Sequence, residues 1–415
     1  LVDSITSGQV SDELVRLDMG TKVTMLIALP YPEAKTASKA GAASKRVVLA
    51  NGVTLLVKSD PRSQVFGASV VFRNRSFAEP VGRCGMTELW QRVLMQGPAG
   101  MTKDDFGNKL AGLGLTMDFV DNPYIPMDDM YLSARYSFIK AEGLDESWRD
   151  NIALLADTVV HPKMDEAALA DAKRSLMQVL GMKSAGTHDK ARSLYLGGIL
   201  GDTPMAKPVE GIAREAGQAT LDELKSFAKS YAGGGNVIVS IATSAPLDEV
   251  VRAATDGFSA LPNGEAIAAL APKPQQGTDV IEGESAPQAT IYFGYAFDGL
   301  EDADRAALII LGGIIGDRSA FVIREQQGLA YSVGAGFDNF GNVGWFTLSM
   351  GTGPENIDKA KESIRATLND LKTAEITADE VERGVNSLVG RRIMRRITRK
   401  NQAFFAATSE LNGEA

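Results

Sequence analysis

The chain has 415 residues, too many for one ordinary hydrophobic core, so its length predicts two or more domains. A hydrophobic content of 44% with 23% charged residues is typical of a globular protein. The formal net charge of -9 argues against a nucleic-acid partner, because phosphate binding requires clustered cations. No uninterrupted apolar run approaches the roughly 20 residues that cross a bilayer, so we expect no membrane span.

Residues 1–45 differ in composition from the rest of the chain. Thr21–Leu29 predicts a strand, and the stretch 33–45, rich in Ala, Ser, Gly and Lys, predicts a linker. No charged segment followed by a continuous apolar core occurs at Leu1, so no signal peptide is predicted. We treat residues 1–45 as an N-terminal extension and linker, whose origin the sequence does not reveal. Its composition favours a bacterial periplasmic location without excluding the cytoplasm.

From Arg46 the sequence predicts a regular series of strands and helices. A hairpin turns at Asn51-Gly52, and Gly97-Pro98 ends the first long helix. The predicted elements that follow the hairpin are a strand over 64–72, helices over 85–95 and 102–110, a strand over 131–138, and helices over 146–160 and 166–183.

The second half repeats this order. Its predicted elements are a strand over 290–297, helices over 302–315 and 320–326, a strand over 344–350, and helices over 354–371 and 377–396. Leu-Gly-Leu-Thr-Met at 113–117 parallels Gln-Gly-Leu-Ala-Tyr at 327–331. We therefore predict an α+β fold of two homologous lobes, each a mainly antiparallel sheet covered by helices. The predicted domains are 46–263 for the first lobe, 264–276 for a Pro-containing connector, and 277–415 for the second lobe.

The second copy is predicted to be incomplete at its C-terminal end. In the first copy a helix beginning near Thr220 and a strand over 236–242 follow the long helix, and no equivalent pair precedes Ala415. The segment that begins at Gly8 and includes the predicted strand over 23–29 resembles this helix–strand unit. The closing unit is therefore either absent or supplied by the N-terminal segment.

Six cations recur at helical spacing near the end of the chain. They are Arg391, Arg392, Arg395, Arg396, Arg399 and Lys400. This pattern predicts a solvated or partner-facing side of a helix rather than a DNA-reading element.

Arg324 and Tyr331 lie seven residues apart across a predicted helix-to-strand turn. A guanidinium and a phenol so placed could direct two hydrogen-bond donors at one oxygen that gains negative charge in a reaction. An exposed arginine and a half-buried strand tyrosine are also common without any function. The duplication favours function, because the first copy has Leu110 and Met117 at the matching positions.

Over roughly 46–415 the chain resembles the pitrilysin-type (insulinase-like, peptidase M16) zinc metallopeptidases, in particular the small bacterial members that work as two-chain enzymes. The segment from Arg324 to Tyr331 matches the family's Arg-x-x-x-Gly-Leu-x-Tyr. This resemblance implies that Arg324 and Tyr331 bind the scissile carbonyl of a peptide, opposite the zinc.

The family's zinc motif, His-x-x-Glu-His, does not carry over. Counted back from Gly97, the matching positions hold Glu88 and Arg92 in place of the histidines and Gln91 in place of the general base. The family's third ligand, a later glutamate, matches Gln178, or Val179 one register further on. Zinc needs imidazole, thiolate or carboxylate donors and a base for its water. We predict no metal or other cofactor in this chain, and a salt bridge between Glu88 and Arg92.

Cysteine and histidine offer no second metal site. Cys84 is the only cysteine, which excludes an intramolecular disulfide and a cysteine cluster for zinc, and His161 and His188 are too few and too far apart in sequence. The resemblance then implies the zinc-free subunit of a heterodimeric metalloendopeptidase, inactive alone. Its partner would carry His-x-x-Glu-His and the zinc, and its substrate would be a peptide. The alternatives are an inert structural or peptide-binding protein of the same fold and, more weakly, a peptide-capturing homodimer.

Overall fold

The computed structural model describes residues 42–122, 130–183, 187–275, 283 and 286–414, and residues 42–415 belong to one compact unit. The strand predicted over 21–29, and the question whether the N-terminal segment completes the second lobe, lie outside the described residues.

The first lobe is built on a six-stranded sheet. Its strands are β1 (Ala43–Val48), β2 (Thr54–Ser59), β3 (Val65–Arg73), β4 (Thr116–Asp118), β5 (Tyr136–Leu144) and β6 (Val237–Thr243). They lie in the order β1-β2-β6-β3-β5-β4, and every neighbouring pair is antiparallel except β2 and β6. All of β6 and most of β3 are buried. Both faces of the sheet centre are covered, which is why these strands are continuous apolar runs.

Nine helices come from the described part of the same half of the sequence, and most of them pack around this sheet. In chain order they are α1 (Arg75–Ala78), α2 (Met86–Leu94), α3 (Lys103–Leu113), α4 (Trp148–Val160), α5 (Glu166–Lys183), α6 (Thr187–Leu200), α7 (Ala213–Gln218), α8 (Leu221–Tyr231) and α9 (Leu247–Phe258). α3 begins with a capping box: Thr102 accepts a hydrogen bond from the Asp105 amide, and the Asp105 side chain accepts one from the Thr102 amide.

The second lobe repeats the strand order on a smaller scale. Its elements are β7 (Ala289–Phe297), α10 (Asp302–Ser319) with a π-helical end (Ala320–Gln326), β8 (Ser332–Phe340), β9 (Val343–Thr352), α11 (Ile357–Asp370), α12 (Ala378–Met394) and α13 (Arg399–Asn412). The described strands lie in the antiparallel order β7-β9-β8, which matches β3-β5-β4 of the first lobe. The predicted α+β class with two related lobes is confirmed.

The two lobes exchange helices. α6, from the first half of the sequence, packs on β7, and its Tyr195 hydroxyl donates to the Phe346 carbonyl of the neighbouring β9 at 2.6 Å. α13, at the end of the chain, packs on β3, β5 and β6 of the first sheet, and Phe404 is fully buried there. A Cβ at Gly67 would overlap the Arg399 carbonyl group, so the glycine permits this approach. The ranges 46–263 and 277–415 therefore remain a predicted division of the sequence, while in space each range sends a helix to the other sheet.

The second lobe is less covered than the first. β3 lies between β5 and β6, whereas β7 has only β9 beside it among the described strands. Phe293 and Tyr295 of β7 are exposed. α12 contains no buried residue, although its counterpart α5 packs on α2 and α7. Apolar side chains that the first lobe buries are thus left open in the second.

One helix corrects the expectation about apolar length. Asp302–Gln326 is 25 residues long and its most apolar window has a mean hydropathy of 1.8, so by length and composition it could cross a membrane. Counting uninterrupted apolar residues missed it because glycines such as Gly312 and Gly316 divide the run. The helix packs on β8 and α12, and Ile323 is fully buried. A helix in the core of a folded domain meets the same criteria.

An ion pair at the start of α12 predicts a pH-dependent stability. Arg318 of α10 donates two hydrogen bonds of 2.6 Å to Glu380, which also accepts from the Thr377 amide. The Arg318 guanidinium lowers the pKa of Glu380 from 4.5 to about 2. A carboxylate whose folded pKa is depressed stabilises the fold fully above its unfolded value, and the gain is lost as the pH falls through the folded value.

Glu380→Gln keeps the capping geometry but removes the charge. We expect its melting temperature to lie below that of the wild type at neutral pH, with the difference closing between about pH 4.5 and 2. Thermal unfolding followed by circular dichroism across this range measures it. A difference that stays constant with pH would show that the charge is not responsible.

Candidate functional site

The turn that carries Arg324 and Tyr331 is fixed by its backbone. The Gly328 amide donates to the Arg324 carbonyl at 3.1 Å, and Gly328 has a φ of 64°, which favours glycine. Ile323 anchors the π-helical end in the core, and π-helical turns recur at functional sites. The Tyr331 amide donates to the Gly351 carbonyl of β9 at 2.9 Å, so this residue leads directly into β8.

Both predicted side chains are open to solvent. Tyr331 is 68% exposed, and the Arg324 side chain is 55% exposed. The only ion pair of Arg324 in the described structure is a 3.6 Å contact with its neighbour Glu325, and the Tyr331 hydroxyl has no hydrogen-bond partner there. A rigid backbone therefore presents two donors that an incoming oxygen could use.

The first lobe contains a related glycine turn with different side chains. The Leu115 amide donates to the Leu110 carbonyl at 2.9 Å, and Gly114 has a φ of 58°. The matching amide of the second lobe, that of Leu329, donates one position further back, to Ile323 at 3.0 Å, because the helix there ends in a π-helical segment. Leu110 and Met117 are partly buried and pack against the first core, so a positive-φ glycine turn as such does not require an arginine and a tyrosine.

The degenerate metal positions form a buried ionic network. Glu88 is 2% exposed and accepts hydrogen bonds from Arg75 at 2.6 Å and from Arg92 at 2.8 Å, which confirms the predicted salt bridge. Arg92 also donates to the Ser175 hydroxyl of α5 at 2.8 Å. One carboxylate is thus held between two guanidinium groups, and α2 is tied to α1 and α5.

Gln91 completes this network through its amide. Its Nε2 donates to the Phe119 carbonyl at 2.6 Å and to the Phe138 carbonyl at 2.9 Å, while its Oε1 accepts from Arg75 at 3.2 Å. A glutamate here would set a carboxylate against two carbonyl oxygens. The site is therefore built for the amide and offers no base.

Nearby carboxylates compensate the charge of Arg75. Burial would lower the pKa of Arg75, but the charges of Glu88 and Glu79 outweigh it and hold that pKa above its usual value. Burial raises the pKa of Glu79, with Arg75 and the amides of Gly85 and Thr87 acting against the rise. The positive charge of Arg75 is therefore compensated by carboxylates in its immediate surroundings.

These residues do not fit a zinc ion. Both oxygens of Glu88 are engaged by guanidinium groups, and a cation there would face Arg75 and Arg92. Gln178 is exposed on α5, whereas Val179 of the alternative register is buried and apolar. No group of three or more His, Cys, Asp or Glu suited to a metal occurs among the residues described in the structure.

Sequence reasoning missed two members of this network. Arg75 follows Asn74, which has a φ of 56°, in the short helix after β3, and Ser175 lies on α5. Neither has a sequence signal, because each meets the site only through the packing of α1 and α5 on α2. The one available sign was the presence of Glu88 and Arg92 on a mainly apolar helix, because buried charges need further polar or charged partners nearby.

Comparisons with known proteins agree with this architecture. The peptidase M16 inactive domain matches residues 218–388, which include Arg324 and Tyr331. An uncharacterized zinc protease of Rickettsia felis is 23% identical over 345 residues, covering 82% of this chain and 81% of that protein. A non-peptidase homolog, YmxG, of Helicobacter pylori is 23% identical over 271 residues, 64% of this chain and 60% of that protein.

A crystal structure is similar over most of the chain. The peptidase M16 inactive domain from Pseudomonas fluorescens superposes with a TM-score of 0.75 at 18% identity, covering 90% of this chain and 88% of that one. This similarity supports the two-lobed fold described above.

Removing the central carboxylate should destabilise the fold. Glu88→Gln removes the carboxylate with which both buried guanidinium groups pair and leaves only Glu79 near Arg75, and breaking such a buried pair typically costs about 3–5 kcal/mol. Urea unfolding followed by fluorescence measures the change. Asp171→Asn is the matched control, because it removes the exposed partner of Arg174 and should cost less than about 1 kcal/mol. Equal effects of the two changes would contradict a structural role for the network.

The purified chain should hold much less than one zinc ion per molecule after dialysis, because the donor set is wrong. Elemental analysis by mass spectrometry tests this. The double variant His161→Ala/His188→Ala identifies zinc bound at surface histidines. One zinc per chain that survives this change but disappears in Glu88→Gln would refute the assignment.

Proposed function

Because the chain belongs to the peptidase M16 family, we propose that it acts as the zinc-free subunit of a heteromeric zinc metalloendopeptidase. The observation that carries this proposal is an asymmetry between the two lobes. The first lobe has filled its metal positions with a buried ionic network around Glu88, while the second presents Arg324 and Tyr331 to solvent. A pure scaffold has no use for the second feature.

The proposed roles follow from the chemistry of the two side chains. A tetrahedral intermediate of peptide hydrolysis carries a negative oxygen where the carbonyl was. Arg324 would neutralise that charge, and the Tyr331 hydroxyl would donate a hydrogen bond to it. The backbone around Gly328 and Ile323 is already fixed, so little ordering is required when the carbonyl arrives.

The partner must supply what this chain lacks. It would carry His-x-x-Glu-His with its zinc and the general base, and the peptide would lie between the two subunits. Gln91 cannot accept a proton near neutral pH, and its hydrogen bonds to Phe119 and Phe138 are structural. On this view the chain binds and orients the carbonyl, and its partner performs the proton transfers.

A second candidate is a catalytically inert structural or peptide-binding protein of the same fold. The name of the Helicobacter pylori relative, a non-peptidase homolog, favours it. Mixing this chain with a zinc-bearing M16 subunit from the same cell distinguishes the two. A subunit of the peptidase raises peptide cleavage above that of the partner alone, whereas an inert protein leaves it unchanged.

In the assembled enzyme, Arg324→Ala and Tyr331→Phe should each lower kcat by about 10²–10³, the usual cost of one oxyanion donor. KM should change less, because the donors act mainly in the transition state. Stopped-assay kinetics with a fluorogenic peptide measure both constants.

Matched controls remove the same kinds of group at other exposed positions. Tyr295→Phe removes an exposed hydroxyl from β7, and Arg174→Ala removes an exposed guanidinium from α5. Both should retain activity. Normal turnover in the double variant Arg324→Ala/Tyr331→Phe, with copurification showing intact assembly, would refute the proposed roles.

A further inference from the structure

The cations of the basic run near the end of the chain differ in their surroundings. Arg399 pairs with Asp60 at 3.1 Å and Lys400 with Asp118 at 2.8 Å, so these cations attach α13 to the first lobe. The Arg396 guanidinium lies over the Phe405 ring, 5.0 Å from its centroid. Arg391 and Arg392, on the last turn of α12, are exposed and have no ion pair among the described residues, so internal contacts of this kind do not account for them.

Large apolar side chains project beside these free cations. Ile393 and Met394, the last two residues of α12, are 62% and 68% exposed, and Ile397, in the turn that joins α12 to α13, is 61% exposed. Cations at a helix C-terminus stabilise the helix dipole. That effect accounts for Arg391 and Arg392, but it gives no reason for three neighbouring apolar side chains to be in water.

The first lobe lacks this combination. Aligned through the duplicated long helices, Ile393 and Met394 correspond to Gly181 and Met182 at the end of α5, and the next residue there is Lys183. Lys183 is paired with Glu210. The apolar and basic corner is thus a property of the second copy alone, as the Arg324 and Tyr331 pair is.

We propose that this corner, Arg391–Ile397, docks on an anionic lipid surface. Ile393, Met394 and Ile397 enter the headgroup region, and Arg391 and Arg392 contact the lipid phosphates and carboxylates. A bilayer suits the shape, because the apolar side chains project from a helix–helix turn instead of lining a groove, as helix-binding proteins require. Because the chain as a whole carries a net charge of -9, attraction to an anionic surface is confined to this basic corner, and only this face should bind.

Sedimentation of the full chain with lipid vesicles tests this inference independently of any peptidase activity. We expect binding to vesicles of phosphatidylcholine mixed with phosphatidylserine, little binding to phosphatidylcholine alone, and release by salt. Each arginine near an anionic surface contributes about a fivefold gain in partitioning, so Arg391→Gln/Arg392→Gln should weaken binding about 25-fold. Ile393→Ser/Met394→Ser/Ile397→Ser should weaken it by more than about tenfold.

Controls remove the same kinds of side chain elsewhere. Val81→Ser/Leu270→Ser changes two other exposed apolar residues, and Arg174→Gln/Arg214→Gln changes two other exposed arginines. Both should bind like the wild type, and circular dichroism confirms that all variants are folded. Failure to bind anionic vesicles, or equal losses in the controls, would overturn the proposal and leave a protein as the occupant of this corner.

Discussion

The constraint on which the first lobe depends is the burial of one carboxylate. Glu88 is buried in the first turn of α2, where an uncompensated charge would cost several kcal/mol. Two guanidinium groups satisfy its oxygens, and the same contacts tie three helices together. A metal site needs free donors that can be deprotonated and an open ligand position. The network removes both, so stability and metal binding exclude each other at this position.

Comparison of the two copies distinguishes residues that the fold requires from residues that are available for a function. Both copies have the helix-to-strand turn with a positive-φ glycine, at Gly114 and at Gly328. In one copy the side chains around it complete a core, and in the other Arg324 and Tyr331 face solvent. The first turn ends an α-helix and the second a π-helical segment, so the two copies share the glycine but differ in both backbone hydrogen bonds and side chains.

Local signals made much of the fold predictable. The capping box at Thr102, the hairpin at Asn51-Gly52 and the repeated strand order depend on near neighbours in the sequence. The exchange of α6 and α13 between lobes could not be predicted, since it arises from contacts between residues far apart in the chain. Arg75 was missed for the same reason. Spacing alone placed Gln178 at the position of the family's third zinc ligand. Which residue of a helix faces the site depends on the rotation of the helix, and Gln178 is exposed.

The open face of the second lobe has a physical consequence for how the chain works. Large apolar groups on β7 and along α12 remain in water, although their counterparts in the first lobe are covered. Exposed apolar surface of this kind is unfavourable in water and favours association with another molecule. The proposed chemistry agrees with this, because Arg324 and Tyr331 offer hydrogen-bond donors, while the described residues contain no cluster of His, Cys, Asp or Glu suited to a metal. The exposed surface and the unpaired donors both support the proposal that this chain works together with a partner.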